Sequence, residues 1–234
     1  MQERVEAVNT YFASAERSSP EAIREATLKI DSNPIVSEIL RTFGSILAVL
    51  NRHRQIIAAN EVLLETLGVS DVRDLLGLRP GEALRCTHAE AGPGGCGTSE
   101  FCSTCGAAVS IVLSQETGQP VERECLVTIK GDREEAIEFN VRAVPTEYEG
   151  ERYIILLMQD IRDKKRRESL EQVFFHDLLN SLAGLSGYLE IYGLTEPEQR
   201  GKMLEEIEFL CSNVVEQVRS QRVLSKIDKG NYQP

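Results

Sequence analysis

The sequence predicts an α+β protein: an antiparallel sheet with helices on one face, followed by a long αα-hairpin. Three observations predict it. Between about residues 34 and 161, strand-length apolar runs and polar turns follow the order ββ, helices, βββ. From Asp160 onward, apolar residues recur in steps of three and four. The 234 residues suit one or two domains, and 41% apolar residues are enough for a real core.

Residues 1–35 read as a helical lead-in suited to pairing in a dimer. Val5, Val8 and Phe12 fall at helical spacing, as do Ile23, Ala26 and Ile30. Ser18-Ser19-Pro20-Glu21 between them is a stop followed by a helix start.

Residues 36–163 read as the mixed domain. Ile46-Leu47-Ala48-Val49-Leu50 and Gln55-Ile56-Ile57-Ala58-Ala59 flank the polar turn Asn51-Arg52-His53-Arg54, which predicts a hairpin with His53 exposed. Leu63, Leu64 and Leu67 share a helical face ended by Gly68. A cysteine-rich loop, 86–105, precedes a short helix from Ala107 to Gln115. Strands follow at Val121–Ile129, Ala136–Val144 and Tyr153–Gln159. Residues 145–152 connect the last two, with Tyr148-Glu149-Gly150-Glu151 as the turn.

Residues 164–234 read as the hairpin. Lys164 to Arg167 is a charged, solvated helix start, and Leu170, Phe174, Leu178, Leu182, Leu185 and Leu189 form one stripe. Thr195, Pro197 and Glu198 restart the chain as a capped helix. Leu204, Ile207, Cys211, Val214, Val218 and Leu224 form the second stripe. A lone hairpin cannot cover both stripes, so a dimeric four-helix bundle is expected.

The net charge of -11 argues against non-specific nucleic-acid binding and against an anionic membrane surface. No stretch approaches the roughly 18 apolar residues of a membrane helix. Met1-Gln2-Glu3-Arg4-Val5-Glu6 does not open a signal peptide. A cytoplasmic protein is expected.

Four of the six cysteines crowd into C-x9-C-x5-C-x2-C at Cys86, Cys96, Cys102 and Cys105. In a reducing compartment such a cluster reads first as a metal site or redox switch. Glycines at 92, 94, 95 and 97 let the backbone fold tightly around thiolates. Structural zinc, an iron–sulfur cluster and a metal-free thiol switch all remain open, because the spacing matches no familiar zinc-finger or ferredoxin pattern. His88 is placed to replace one thiolate. Cys125, in a strand, and Cys211, on the second stripe, read as buried thiols rather than ligands.

His176 is the candidate nucleophile. At about 100° per residue the first stripe averages near 60° from Leu170, and His176 falls near 240°, about opposite. Asn180 shares its exposed face, and Asp177 is adjacent. An exposed imidazole beside a carboxylate suits phosphoryl acceptance, although a plain surface histidine has the same geometry.

His176-Asp177-Leu178-Leu179-Asn180 resembles the phosphoacceptor box of sensor histidine kinases. Ser181-Leu182 stands where many members have Pro-Leu. The resemblance implies that His176 accepts phosphate from ATP, that Asp177 assists as base, and that Asn180 positions water in the phosphatase reaction. It also implies a homodimer and a response-regulator partner. Ile57-Ala58-Ala59-Asn60 with Leu64 and Leu67-Gly68, and Leu157-Met158-Gln159-Asp160-Ile161-Arg162-Asp163-Lys164, resemble parts of PAS sensor domains, with Arg162 in place of Thr. Together they imply the sensory and phosphoacceptor portion of a two-component kinase. About six residues remain after the hairpin, so the ATP-binding domain, on the order of a hundred residues, is expected from elsewhere. The alternative is a dimeric metal-binding PAS regulatory module without phosphotransfer.

Overall fold

A computed structural model of the chain describes residues 8–131, 133–194 and 196–228, with side chains described to 222. Val5, Thr195 and the Leu224 side chain, named above, lie outside the described residues. The chain divides between Arg162 and Asp163 into two compact units.

The first unit holds α1 (Pro20–Asp31), α2 (Pro34–Thr42), β1 (Ile46–Leu50), β2 (Ile56–Ala59) and α3 (Glu61–Leu67). It continues through α4 (Pro80–Ala83), α5 (Gly106–Thr117), β3 (Val121–Ile129), β4 (Glu135–Tyr148) and β5 (Glu151–Asp160). The five strands form one sheet in the order β2-β1-β5-β4-β3, and every pair is antiparallel.

Period-two alternation gives this sheet two apolar faces. Ile46, Ala48, Leu50, Phe139, Val141, Leu156 and Met158 point into the main core with α3, α4 and α5. Val49, Ala58 and Tyr153 point the other way, joined by Ile57 where the β1–β2 register shifts, and Ile23, Ala26 and Ile30 of α1 cover them. The segment read as a lead-in therefore closes the second face. Ser19 caps α1 by accepting from the Ala22 amide.

Residues 8–19 correct the sequence reading, because they are not helical. Their amides are committed elsewhere: Tyr11 N–H donates to Thr98 O and Ala13 N–H to Gly97 O. The segment is a strap over the cysteine loop.

Helix α2 was not anticipated. Asn33 caps it by accepting from the amides of Ile35 and Val36. β4 and β5 also run through the stretch expected as a connection and meet at Glu149-Gly150. Both turn residues have positive φ, 51° and 77°, the two-residue geometry that matches strand twist. Pro145 is tolerated because β3 begins opposite Ala143, so among the described residues β4 has no strand on that side at Pro145.

The second unit is the expected hairpin, formed by α6 (Arg162–Tyr192) and α7 (Pro197–Asp228). Phe174, Leu178, Leu185, Ile207, Leu210 and Val214 are half-buried. A Cβ at Gly184 would lie 3.5 Å from Leu210 Cδ1, so the helices face each other there. Leu170, Leu182, Leu189, Leu204 and Val218 of the predicted stripes are exposed in the single chain. Cys211 is exposed too, a correction to its reading as a buried thiol.

Candidate sensory cavity and phosphoacceptor

The cysteine loop is held by one buried side chain, Arg79, which precedes α4 and is 0% exposed. Its Nε donates to His53 O at 3.2 Å. Nη1 donates to Gly94 O at 2.8 Å and Cys96 O at 3.1 Å. Nη2 donates to Ser14 O at 3.2 Å and Glu16 O at 2.8 Å. One guanidinium thus ties the strap, the β1–β2 turn and the loop together. Burial pulls its pKa down to about 10. Glu82 completes the frame by pairing with Arg17 and accepting the amides of Arg79 and Cys96.

Between the main-core face of the sheet, α4, the loop and the start of α5 lies a cavity of about 320 Å³. All four predicted ligand cysteines, Cys86, Cys96, Cys102 and Cys105, line it. Cys125 of β3 lines it as well. Its inward position follows from the strand: Cys125 and Val127 are buried, while Glu124 and Leu126 are exposed. Spacing within the loop carries no trace of this fifth thiol.

The thiols have different surroundings. Cys102 Sγ accepts from the Gly97 amide at 3.2 Å and lies 3.1 Å from Ser99 Oγ. Cys96 packs on Gly81, where an added Cβ would come within 2.6 Å of its sulfur. Burial pushes the Cys96 thiol up to about 12 and raises that of Cys86. Cys105 is the residue before the first turn of α5, and its Sγ lies 3.5 Å from Cys125 Sγ. The Cys125 thiol, with the Ala108 and Ala107 amides, lowers the Cys105 pKa and is itself raised. His88 stacks on Phe101 at the cavity wall, ring centroids 4.1 Å apart. Among the described residues, no three His, Cys, Asp or Glu side chains converge on a position that could hold a metal ion.

His53 is buried, which corrects its reading as exposed. Asn51 Oδ1 accepts the amides of His53 and Gln55 and folds the turn inward. Arg52 Nε donates to His53 Nε2 at 2.9 Å. Burial lowers the imidazole pKa from 6.5; Glu16 opposes the shift, and Arg52, Arg79 and Arg54 add to it. A depressed native pKa means the unfolded chain binds this proton more readily. The neutral ring therefore supports stability above pH 6.5, and that support fades as pH falls through the lowered native value. Urea titrations between pH 7.5 and 5.5 are expected to show falling stability, with a shallower fall in His53→Gln. Equal slopes in the two proteins would refute the assignment.

In the second unit, the His176 side chain is 72% exposed. Its Nδ1 lies 3.2 Å from Asp177 Oδ1. Asn180 Nδ2 lies 3.3 Å from Nδ1 and 3.4 Å from Nε2. The helix thus brings the three candidate residues together on one open face.

No protein-family profile matches the chain, and no curated protein does. Among solved structures it is similar to the PAS domain of nitrogen regulation protein NR(II) from Vibrio parahaemolyticus. The identity there is 13%, over 55% of this chain and 100% of that one, with a TM-score of 0.41. The Rhodobacter sphaeroides LOV protein is 12% identical over 85% of this chain and 97% of its own, TM-score 0.41. A PAS domain from a two-component sensor histidine kinase is 8% identical over 54% and 93%, TM-score 0.37. No described helix is long and apolar enough to cross a membrane.

Proposed function

We propose that this chain is the sensory and phosphoacceptor portion of a cytoplasmic two-component sensor histidine kinase. The observation that carries the reading is the open His176 imidazole, with Asp177 and Asn180 within 3.4 Å, on a helix that begins just after the last strand of a PAS-like sheet. Asp177 holds the Nδ1 proton, which leaves the Nε2 lone pair free to attack. Nε2 bonds to the γ-phosphorus of ATP, and the bond to the bridging oxygen breaks, releasing ADP. Asp177 then stabilises the charge on the ring. ATP is held by a catalytic domain outside these 234 residues. The phosphoryl group passes next to an aspartate of a response regulator, and in the phosphatase reaction Asn180 positions the water that hydrolyses this aspartyl phosphate, releasing inorganic phosphate.

The chain works as a homodimer. Phe175, Leu179, Leu182 and Leu189 of α6, and Leu204, Val215 and Val218 of α7, leave exposed apolar rows that a second hairpin covers. The signal leaves the sheet through β5, where Asp160 accepts the first amide of α6 and pairs with Arg162.

Incubation with labelled ATP and a complementing catalytic domain tests the reading. Acid-labile, base-stable label is expected on the chain, and His176→Gln should remove it entirely. A dimer that takes no label overturns the kinase reading and leaves a regulatory module without phosphotransfer.

A further inference from the structure

The cavity of the first unit brings five cysteines and two buried guanidiniums to one space, and their charges do not balance. Arg54 and Arg79 both wall the cavity and are both buried. Glu82, the carboxylate that acts on both guanidiniums, is shared with a third, Arg17. Arg54 donates through Nη2 to Ser14 O at 2.6 Å, but its buried Nε has no hydrogen-bond partner among the described residues. Buried cations that outnumber the carboxylate they share, and a buried donor without an acceptor, are both costly. The cavity therefore suits an occupant that is thiophilic and, with its ligands, anionic.

A metal–thiolate centre has both properties. A dicationic core bound by four thiolates carries two negative charges, matching the two guanidiniums. The arrangement of sulfurs separates a single ion from a cluster. Zinc draws each of four sulfurs to about 2.3 Å, so they crowd around one point. Here the cysteines stand around a cavity of about 320 Å³. An iron–sulfur cluster fills such a space with its own iron and sulfide and keeps the cysteine sulfurs apart. Leu84, Ile111, Val127 and Met158 form an apolar wall. The Gly97 amide and Ser99 hydroxyl at Cys102 Sγ are the kind of donors that hold and tune a metal-bound thiolate.

We propose that this cavity holds an iron–sulfur cluster ligated by Cys86, Cys96, Cys102 and Cys105, with Arg54 and Arg79 as its counter-charges. Cys125 serves as a non-ligating thiol that hydrogen-bonds to the Cys105 sulfur, 3.5 Å away. The pair lies too close for the two sulfurs to hold opposite corners of one cluster. The proposal deepens the sensory half of the reading above, and its test does not depend on label at His176.

The full chain, purified anaerobically and reconstituted with ferrous iron and sulfide, is assayed for iron, acid-labile sulfide, zinc and visible absorbance. A brown protein with iron and sulfide in near-equal amounts is expected. Cys86→Ala and Cys102→Ala should each retain about tenfold less iron. Arg54→Gln should lose iron several-fold with an unchanged far-UV circular dichroism spectrum. Cys125→Ala should keep its iron and shift the reduction potential, while Cys211→Ala should match the parent in both. A colourless chain with stoichiometric zinc, or one that takes up no metal, overturns the cluster. Loss of iron in Cys125→Ala as complete as in Cys102→Ala overturns the ligand set. If the cysteine variants fail to fold, the parent's metal content alone decides the matter.

Discussion

Arg79→Leu is expected to lower the unfolding free energy by about 4 kcal/mol. Leucine fills much of the volume but donates nothing. The carbonyls of Ser14, Glu16, His53, Gly94 and Cys96 then lose the donor they share. A buried acceptor left unpaired costs about 1–3 kcal/mol, and water entering at the strap offsets part of the total. Arg79→Lys should fall between the two, because one ammonium cannot span five acceptors on three segments. The loss should also be local before it is global. The strap at residues 11–17 has no regular secondary structure, so its amides should exchange with solvent faster than those of β4 in the variant. Urea unfolding with hydrogen exchange checks both points. A variant within about 1 kcal/mol of the parent would show that these carbonyls find other donors.

Arg79 also shows why parts of the molecule were legible in the sequence and others were not. The strands were legible because burial on a pleated sheet alternates with a period of two, and β3 ends where the apolar pattern ends. Gly68 and Gly150 were legible because their backbone needs positive φ, which glycine adopts without strain. The exposure of His176 followed from helical geometry alone. The strap was not legible. Val8 and Phe12 have helical spacing, but the Tyr11 and Ala13 amides bond to carbonyls more than eighty residues away. A periodicity argument cannot see a long-range partner. His53 failed for a related reason: a polar turn is normally solvated, but this one is folded inward beneath Arg79 and the strap. Cys125 was read as buried, which it is. Its place in the cavity depends on β3 lying beside the start of α5, a tertiary fact that cysteine spacing does not encode.

The junction of α5 with β3 supplies the second large effect. Gly106→Ala should destabilise the chain by about 3 kcal/mol, at the upper end for overpacking. An added Cβ there would overlap the Glu124 carbonyl oxygen, 2.8 Å from the carbonyl carbon and 3.2 Å from Cys125 Cα. These obstacles are backbone atoms in the middle of the β3–β4 ladder, where Glu124 and Cys125 pair with Asn140 and Phe139. A rotamer change cannot relieve them, so α5 has to move off the sheet. Gly187→Ala is the matched control, because among the described residues nothing lies within 4 Å of its would-be Cβ in α6. It should stabilise the helix by about 0.5–1 kcal/mol. The shift at Gly106 also carries Cys105, the preceding residue, away from Cys125, the residue after Glu124. Loss of stability and separation of the two sulfurs should therefore appear together. Thermal unfolding reads the first, and the rate of disulfide formation between Cys105 and Cys125 in the metal-free chain under mild oxidant reads the second. A Gly106→Ala chain that loses stability yet closes this disulfide as fast as the parent would mean that α5 tilts about its first turn instead of lifting from the strand.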